Sequence, residues 1–201
     1  MMGKTHLFVG LTAALAAAHP ATAAECIPAV LGGAVGAVIC DIDNLRNKGR
    51  NDSVLIQLTA AVTAACMLAL DAWQKAGLCA LSVSLGKERL IAGAAAFAVL
   101  WIIGFFSDHR GFTHSLAAGA LFSQAVWMLC PPAALPFAAA YASHIAIDLL
   151  NRKGLRLLWP LKGGVRLGLC YSDRTADTLL FQAGILASAF LLTNSIVMHL
   201  F

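Results

Sequence analysis

The residues best suited to chemistry lie in short polar segments of a chain that is otherwise apolar. His144 and Asp148 are four residues apart, so on a helix the imidazole and the carboxylate lie on one face, one turn apart. Neutral imidazole and carboxylate together are ligands for a divalent metal ion. Ser143 and Asn151 are near enough to orient such ligands by hydrogen bonding. A helix-stabilising hydrogen bond between His144 and Asp148 is the alternative interpretation.

Two further segments carry Asp or His residues at close spacing. In CDIDN, Asp41 and Asp43 flank one Ile, and extended or turn geometry would aim both carboxylates the same way. In SDHRGFTHS, His109 and His114 are five residues apart, and Gly111 permits a bend that brings both imidazoles to one centre. The alternative for CDIDN is a helix-ending turn whose carboxylates are solvated. The alternative for SDHRGFTHS is an ordinary positively charged loop in which a Thr or Ser caps the next helix.

The composition places these segments in a membrane protein. Sixty per cent of the 201 residues are hydrophobic and 12% are charged, against roughly 25% charged residues in soluble domains. Most of the apolar residues form blocks that suit membrane helices. These blocks are 7–18, 27–40, 54–70, 90–106, 116–130, 133–150 and 178–201. We therefore predict an all-α, polytopic membrane protein with about five to seven membrane-embedded helices in a single integral membrane domain, residues 1–201.

The Lys and Arg residues predict the orientation of the helices. If each block crosses the membrane, the loops 41–53, 107–115 and 151–177 lie on the same face as the start of the chain. Eleven of the 14 Lys and Arg residues lie on that face, and positive charge in short loops marks the cytoplasmic side. His6 and the three polar segments also fall there. The crossing pattern therefore predicts one shared site at the cytoplasmic membrane face.

Two other features concern packing and lipid contact. Gly32 and Gly36 have the Gly-x-x-x-Gly spacing that lets another helix approach closely. Residues 151–177 are basic and alternate apolar with polar side chains, which predicts a short interfacial segment on the cytoplasmic leaflet, in contact with membrane lipid. The simpler role of its basic residues is as topology signals. The chain lacks a basic patch interleaved with aromatic residues, so we expect no nucleic-acid partner.

Four segments resemble a known family: KTHLFVG (4–10), CDIDN, HRGFTHS and HIAIDLLNRKGLRLLWPL (144–161). They are similar to the signature segments of bacterial inner-membrane proteins described as membrane-bound metal-dependent hydrolases, some of which are linked to SOS-response regulation. Cys40 stands where that family usually has Pro. The resemblance implies that Thr5 and His6 belong to the mature protein, although the first 26 residues also contain the parts of a secretory signal. The family's remote similarity to zinc-dependent phospholipase C and single-strand nuclease folds implies phosphodiester chemistry.

These observations predict a metal site with mixed nitrogen and oxygen ligands and, as its ion, zinc or manganese. The predicted ligands are His6, Asp41, Asp43, His109, His114, His144 and Asp148. Arg110 would bind a phosphate or another oxyanion, and Asp41 or Asp43 could act as general base. The predicted function is a membrane-bound metal-dependent hydrolase acting on a phosphodiester or lipid-linked substrate. The alternatives are a transporter or metal-handling protein whose ion path these residues line, and a non-catalytic protein with a structural metal site.

Overall fold

The computed structural model describes residues 2–45, 51–170 and 175–197, without the side chains of residues 51 and 52. This part of the chain contains helices and two isolated backbone bridges but no strand, which confirms the all-α prediction. The α-helices are α1 Gly3–Ala18, α2 Ala23–Val38, α3 Asn51–Gln74, α4 Leu78–Ser84, α5 Lys87–Phe106, α6 Leu116–Leu129, α7 Pro131–Leu149 and α8 Thr175–Val197. Two 3-10 helices, Ile39–Asn44 and Phe112–His114, lie between them.

Each predicted apolar block forms an α-helix over most of its described residues, and α4 is an α-helix that was not predicted. Asp71, near the end of α3, accepts hydrogen bonds from the backbone amides of Leu78 (2.7 Å) and Cys79 (2.9 Å). These are the first amides of α4, which have no partner inside their own helix. A carboxylate from the preceding helix therefore stabilises the start of α4.

Four segments of the described chain are long and apolar enough to cross a membrane. They are Ala23–Asn44, Ser53–Gln74, Lys87–Phe106 and Thr175–Val197. Large apolar side chains on α3, α5 and α8 point outwards: Leu55 is 66% exposed, Ile91 69% and Leu186 72%. Helices that are hydrophobic all round, with exposed apolar side chains, are typical of contact with lipid. The chain is an all-α membrane protein.

The small residues of α2 allow neighbouring helices to pack closely. α2 lies against α1, α3 and α7. Gly32 and Gly36 face α7, where a methyl group would collide with the backbone carbonyl oxygens of Ala133 and Phe137. The predicted role of the Gly-x-x-x-Gly pair in helix packing is confirmed.

The polar segments meet at one end of the bundle, here called the site end. It comprises the start of α1, both 3-10 helices, the end of α7 and residues 150–170. Residues 151–170 fold back on themselves, with a pair of 2.9 Å backbone hydrogen bonds between Leu155 and Val165. The Leu157 carbonyl also accepts a 3.0 Å hydrogen bond from the amide of Leu116, which ties this segment to α6. Four of the eleven cations counted on the predicted cytoplasmic face lie outside the described residues: Arg46, Lys48, Arg50 and Arg174.

Candidate metal centre

The structure brings together all seven side chains predicted as metal ligands. They form three overlapping groups, and within each group the ligand atoms lie within 4.8 Å of one another. The groups are His6, His144 and Asp148; Asp41, His114 and His144; and Asp41, Asp43 and His109. The side chains come from α1, the 3-10 helix Ile39–Asn44, the loop 107–115 and α7. Residues up to 142 positions apart in sequence therefore surround one small volume.

His144 and Asp148 lie on the inner face of α7, with exposures of 0% and 2%. The Nδ1 atom of His144 is 2.7 Å from the carbonyl oxygen of Ala37 on α2. Since a carbonyl only accepts, Nδ1 carries the proton and Nε2 keeps a lone pair in the neutral ring. This Nε2 makes no hydrogen bond within the described part of the chain and is 3.9 Å from Asp41 Oδ1.

Asp41 and Asp43 approach opposite nitrogen atoms of His114. Asp43 Oδ2 is 3.3 Å from Nδ1, and Asp41 Oδ1 is 3.9 Å from Nε2. The chain continues from α2 into the 3-10 helix Ile39–Asn44, so this segment is helical and not extended. With three residues per turn, side chains two positions apart leave the helix in different directions. The carboxylates of Asp41 and Asp43 nevertheless converge as predicted, because their oxygen atoms and a ring nitrogen of His109 lie within 4.8 Å of one another.

Asp43 is 3% exposed, and both of its oxygen atoms accept hydrogen bonds. The Thr113 hydroxyl donates to Oδ2 at 2.7 Å, and the backbone amide of Arg110 donates to the same atom at 3.1 Å. His109 Nδ1 lies 2.9 Å from Oδ1. The hydroxyl of Tyr141 in turn donates to the backbone carbonyl of Thr113. A carboxylate held in this way fixes the orientation of an imidazole beside it.

His114 is completely buried among these carboxylates. Burial acts to lower its pKa, but the hydrogen bond with Asp43 and the charges of Asp41 and Asp148 outweigh that effect, so the pKa of His114 is raised. Its Nε2 is 3.6 Å from Asp148 Oδ2 and makes no hydrogen bond within the described residues. The Nε2 atoms of His114 and His144 are thus two buried nitrogen atoms without hydrogen bonds beside the same carboxylates.

His6 covers the cluster from α1. Its ring stacks on that of His144, with the ring centroids 3.8 Å apart. Nε2 of His6 is 3.3 Å from Asp148 Oδ1, whereas Nδ1 is buried and makes no hydrogen bond to any described residue. The side chain is 1% exposed, so α1 closes this side of the cluster to solvent.

Arg110 closes another side. Its Nη2 is 3.1 Å from Asp148 Oδ2, and its Nη1 donates to the carbonyl of Lys153 at 2.6 Å. The backbone of Arg110 has φ of 64°, a left-handed conformation that is uncommon outside glycine. The bend expected at Gly111 is present: this residue has φ of −92° and ψ of −118° and directly follows the turn at Arg110. A side chain would not fit at Gly111, because a Cβ atom there would lie 2.7 Å from the carbonyl oxygen of Asp108.

Sequence reasoning missed the role of Thr113, since a Thr or Ser of this loop was expected only to cap the next helix. Ser115 provides that cap: its hydroxyl oxygen accepts a 3.1 Å hydrogen bond from the amide of Ala118, at the start of α6. Thr113 instead contacts Asp43. The two hydroxyl residues are only two positions apart, so their types and spacing alone do not distinguish these roles.

Tyr141 was also missed, although a signal for it exists. It precedes His144 by three residues, which places both side chains on the same face of α7. Ser143, considered as an orienting residue, donates instead to the carbonyl of Ala140 in its own helix. Asn151, the other such residue, is buried, and its Oδ1 accepts a hydrogen bond from the amide of Arg152.

Similarity to known proteins assigns the chain at the level of family. A family model described as YdjM inner membrane protein matches residues 1–201. The chain belongs to this family. No curated protein and no solved structure matches it. The description of the YdjM family supports the expected bacterial inner-membrane protein and mentions neither a hydrolase nor a metal ion.

Proposed function

We propose that the chain is a membrane-bound metal-dependent hydrolase, with its site at the cytoplasmic face of the inner membrane. The observation that carries this proposal is the pair of buried imidazole nitrogen atoms, His114 Nε2 and His144 Nε2, beside the carboxylates of Asp41 and Asp148. A buried polar atom without a hydrogen bond is costly. Coordination of a metal ion would satisfy both nitrogen atoms at once.

The separations between these atoms suit a small divalent ion. An ion with tetrahedral bonds of about 2.0–2.2 Å holds its ligand atoms roughly 3.3–3.6 Å apart. His114 Nε2 is 3.6 Å from Asp148 Oδ2, and Asp41 Oδ1 is 3.9 Å from the Nε2 atoms of both His114 and His144. Small movements of side chains would close the difference. Nitrogen and carboxylate ligands together favour zinc or manganese.

We assign the metal ligands to Asp41, His114 and His144, the group that contains both of these nitrogen atoms, since catalytic zinc sites have three protein ligands and keep one position open. The bound ion would supply a water molecule whose pKa is lowered towards neutrality. Asp41 is the least buried of the three carboxylates, with 15% of its side chain exposed.

The remaining residues of the cluster have positioning roles in this proposal. Asp43 orients His114 through Nδ1, and Ala37 orients His144 through its carbonyl oxygen. Such partners fix the tautomer of a metal-binding imidazole and increase its basicity. Arg110, next to Asp148, offers a planar guanidinium to an oxyanion of the substrate. A phosphodiester or a lipid-linked substrate matches this chemistry and the membrane location.

The transport alternative is less well supported. A transport path needs polar positions that continue through the bilayer. The hydroxyls of Thr59 and Thr63 on α3 donate to carbonyl groups of their own helix. Gln57 donates to the carbonyl of Val38 at 2.5 Å. These polar groups bond to nearby backbone, while the candidate ligands cluster at the site end.

Elemental analysis of the detergent-purified protein tests the metal site. We expect near-stoichiometric zinc or manganese in the wild type and loss of the metal from the double variant His144→Ala, Asp148→Ala. His19→Asn is the matched control. His19 is exposed, distant from the cluster and in a left-handed conformation that Asn tolerates. Circular dichroism checks that each variant remains helical.

Hydrolysis of bis(4-nitrophenyl) phosphate by the metal-loaded protein tests catalysis separately. We expect activity in the wild type and in His19→Asn, and none in the double variant. Equal metal content in the wild type and a folded double variant would refute the metal centre. Stoichiometric metal without hydrolysis of this diester or of phospholipid substrates would favour a structural metal site.

A further inference from the structure

A cavity that adjoins the metal centre at His109 and Arg110 lies between the loop 107–115 and the folded-back segment 151–170. Its volume is about 610 Å³, within the range of about 300–1,000 Å³ of small-molecule sites. Among the described residues, the charged side chains that line it are all basic: Arg110, Lys153, Arg156 and Arg166, with His109 beside them. We call this cavity the basic pocket.

Backbone contacts hold the two walls of the basic pocket together. The amide of Arg156 donates to the carbonyl of Arg110 at 3.1 Å, and the Arg110 guanidinium donates to the carbonyl of Lys153 at 2.6 Å. The hydrogen bonds between Leu155 and Val165 close the segment that carries Lys153, Arg156 and Arg166. The basic groups are thus held on a defined frame.

The positive charge of the pocket is only partly balanced. Arg156 is 3.6 Å from Asp108, but their side chains are 51% and 82% exposed, so this ion pair is weak. Arg166 donates to the carbonyl of Arg152, which carries no formal charge. Arg110, whose side chain is 10% exposed, is paired with Asp148 at 3.1 Å. The excess positive charge of the pocket is therefore carried by Lys153, Arg156 and Arg166.

Three glycines keep part of the pocket wall free of side chains. Gly154, Gly163 and Gly164 line the cavity. Gly163 has φ of 144°, a conformation that strains other residues, and no atom lies within 4 Å of where its Cβ atom would be. A charged group can therefore approach the backbone closely at this wall.

We propose that the basic pocket binds a phosphate-bearing ligand with more than one negative charge, of the phosphomonoester or diphosphate class. The guanidinium groups of Arg156 and Arg166 can each bind two phosphate oxygens, and Lys153 adds a further positive charge. The ligand is either a soluble phosphate compound or the head group of an anionic lipid. Binding of the anion depends on the pocket alone. Use of the pocket as the phosphate subsite of a substrate rests on the proposed hydrolase.

Two probes distinguish these sources. Pyrophosphate binding is measured by isothermal titration calorimetry on the chelator-treated full chain in nanodiscs of neutral phosphatidylcholine. Retention of phosphatidic acid over phosphatidylcholine is measured by native mass spectrometry. Because the protein is metal-free in both measurements, failure of the hydrolase proposal would not affect them.

The test variant is Lys153→Gln, Arg156→Gln, which keeps the backbone groups that hold the walls together. Lys162→Gln is the matched control, because Lys162 is an exposed cation of the same segment that does not line the pocket. We expect the wild type to bind at least one probe, the double variant to bind it at least tenfold more weakly, and the control to match the wild type. Binding of pyrophosphate indicates a soluble ligand; selective retention of phosphatidic acid alone indicates a lipid head group.

Two results would overturn the proposal: no binding of either probe by the wild type, or equal weakening in the control and the double variant. The second result would mean that general surface charge attracts the probe. If the double variant is not folded, Lys153→Gln alone is measured, with an expected weakening of at least threefold. An unchanged affinity in that folded variant would also count against the pocket.

Discussion

Two helices with nearly the same hydropathy occupy opposite environments in this protein. The segments Ala23–Asn44, which contains α2, and Ser53–Gln74 of α3 are both 22 residues long, with mean hydropathies of 1.8 and 2.0. Of the 18 most apolar consecutive residues in each segment, 61% are buried inside the protein in the first segment and 11% in the second. Hydropathy identifies both as helices that can cross a membrane and does not distinguish the inner from the outer helix.

The difference comes from residue size and from polar residues at one end. Gly32 and Gly36 let α7 approach the backbone of α2 closely, whereas Leu55, Leu58 and Val62 of α3 are exposed. Apolar side chains gain little by leaving lipid for another helix, so close packing of small residues determines which helices associate. α2 also leads directly into the 3-10 helix that carries the aspartates of the candidate site.

The largest expected effect is on the close packing of α2. Gly36→Leu places a branched side chain against the backbone of Phe137 and should lower the free energy of unfolding by about 3 kcal/mol. Ala61→Leu adds the same side chain at an exposed position of α3 and should change it little. Unfolding in mixed detergent micelles, followed by circular dichroism, gives both values. Equal losses would contradict the assignment of α2 as inner and α3 as outer.

A smaller effect, on metal affinity, is expected at the polar end of α2. This prediction rests on the proposed metal site. Thr113→Val removes the hydroxyl that donates to Asp43, so the orientation of His114 should weaken and metal affinity should fall by about 10–100-fold. Thr63→Val removes an α3 hydroxyl that bonds within its own helix, and should leave affinity unchanged. Competition with a chelator measures both affinities. An unchanged metal affinity in Thr113→Val would mean that Asp43 has no role in the metal centre.

The smallest effect concerns a polar contact between the two helices. Gln57→Leu removes the hydrogen bond from α3 to the Val38 carbonyl and should cost about 0.6 kcal/mol, as is typical of polar contacts between membrane helices. Thr59→Val is its control, because that exposed hydroxyl bonds to the Leu55 carbonyl of the same helix. Unfolding in mixed detergent micelles, followed by circular dichroism, again gives both values. A loss as large as that of Gly36→Leu would show that α3 belongs to the core.

Much of the fold could be predicted because its causes are local. A run of apolar residues is enough to indicate each long helix, and the alternation of crossings is enough to expect His6, Asp41, His114 and His144 at one end. The short helix α4 was missed because it depends on Asp71, a residue seven positions before its start. The 3-10 geometry of Ile39–Asn44 was missed because Asp-x-Asp has no strong backbone preference of its own.

The candidate site could be predicted by residue type but not by role. Spacing alone treats Asp41 and Asp43 alike, yet Asp43 receives hydrogen bonds from Thr113 and from the backbone of Arg110, some 70 residues away. Spacing also pointed correctly to a bend at Gly111, but not to the left-handed backbone of Arg110 beside it. These differences arise from contacts between segments that sequence patterns do not relate.

The sequence by itself determined the helices, the small residues that allow close packing and the polar residues at the helix ends, because hydropathy, residue size and helical period act over a few neighbouring residues. Only the tertiary structure decided which helices are buried, which nitrogen atom of His114 and His144 lacks a hydrogen bond, and which basic residues line a pocket. Those properties depend on distances between side chains from different helices, and such distances are set by the packing of the whole bundle.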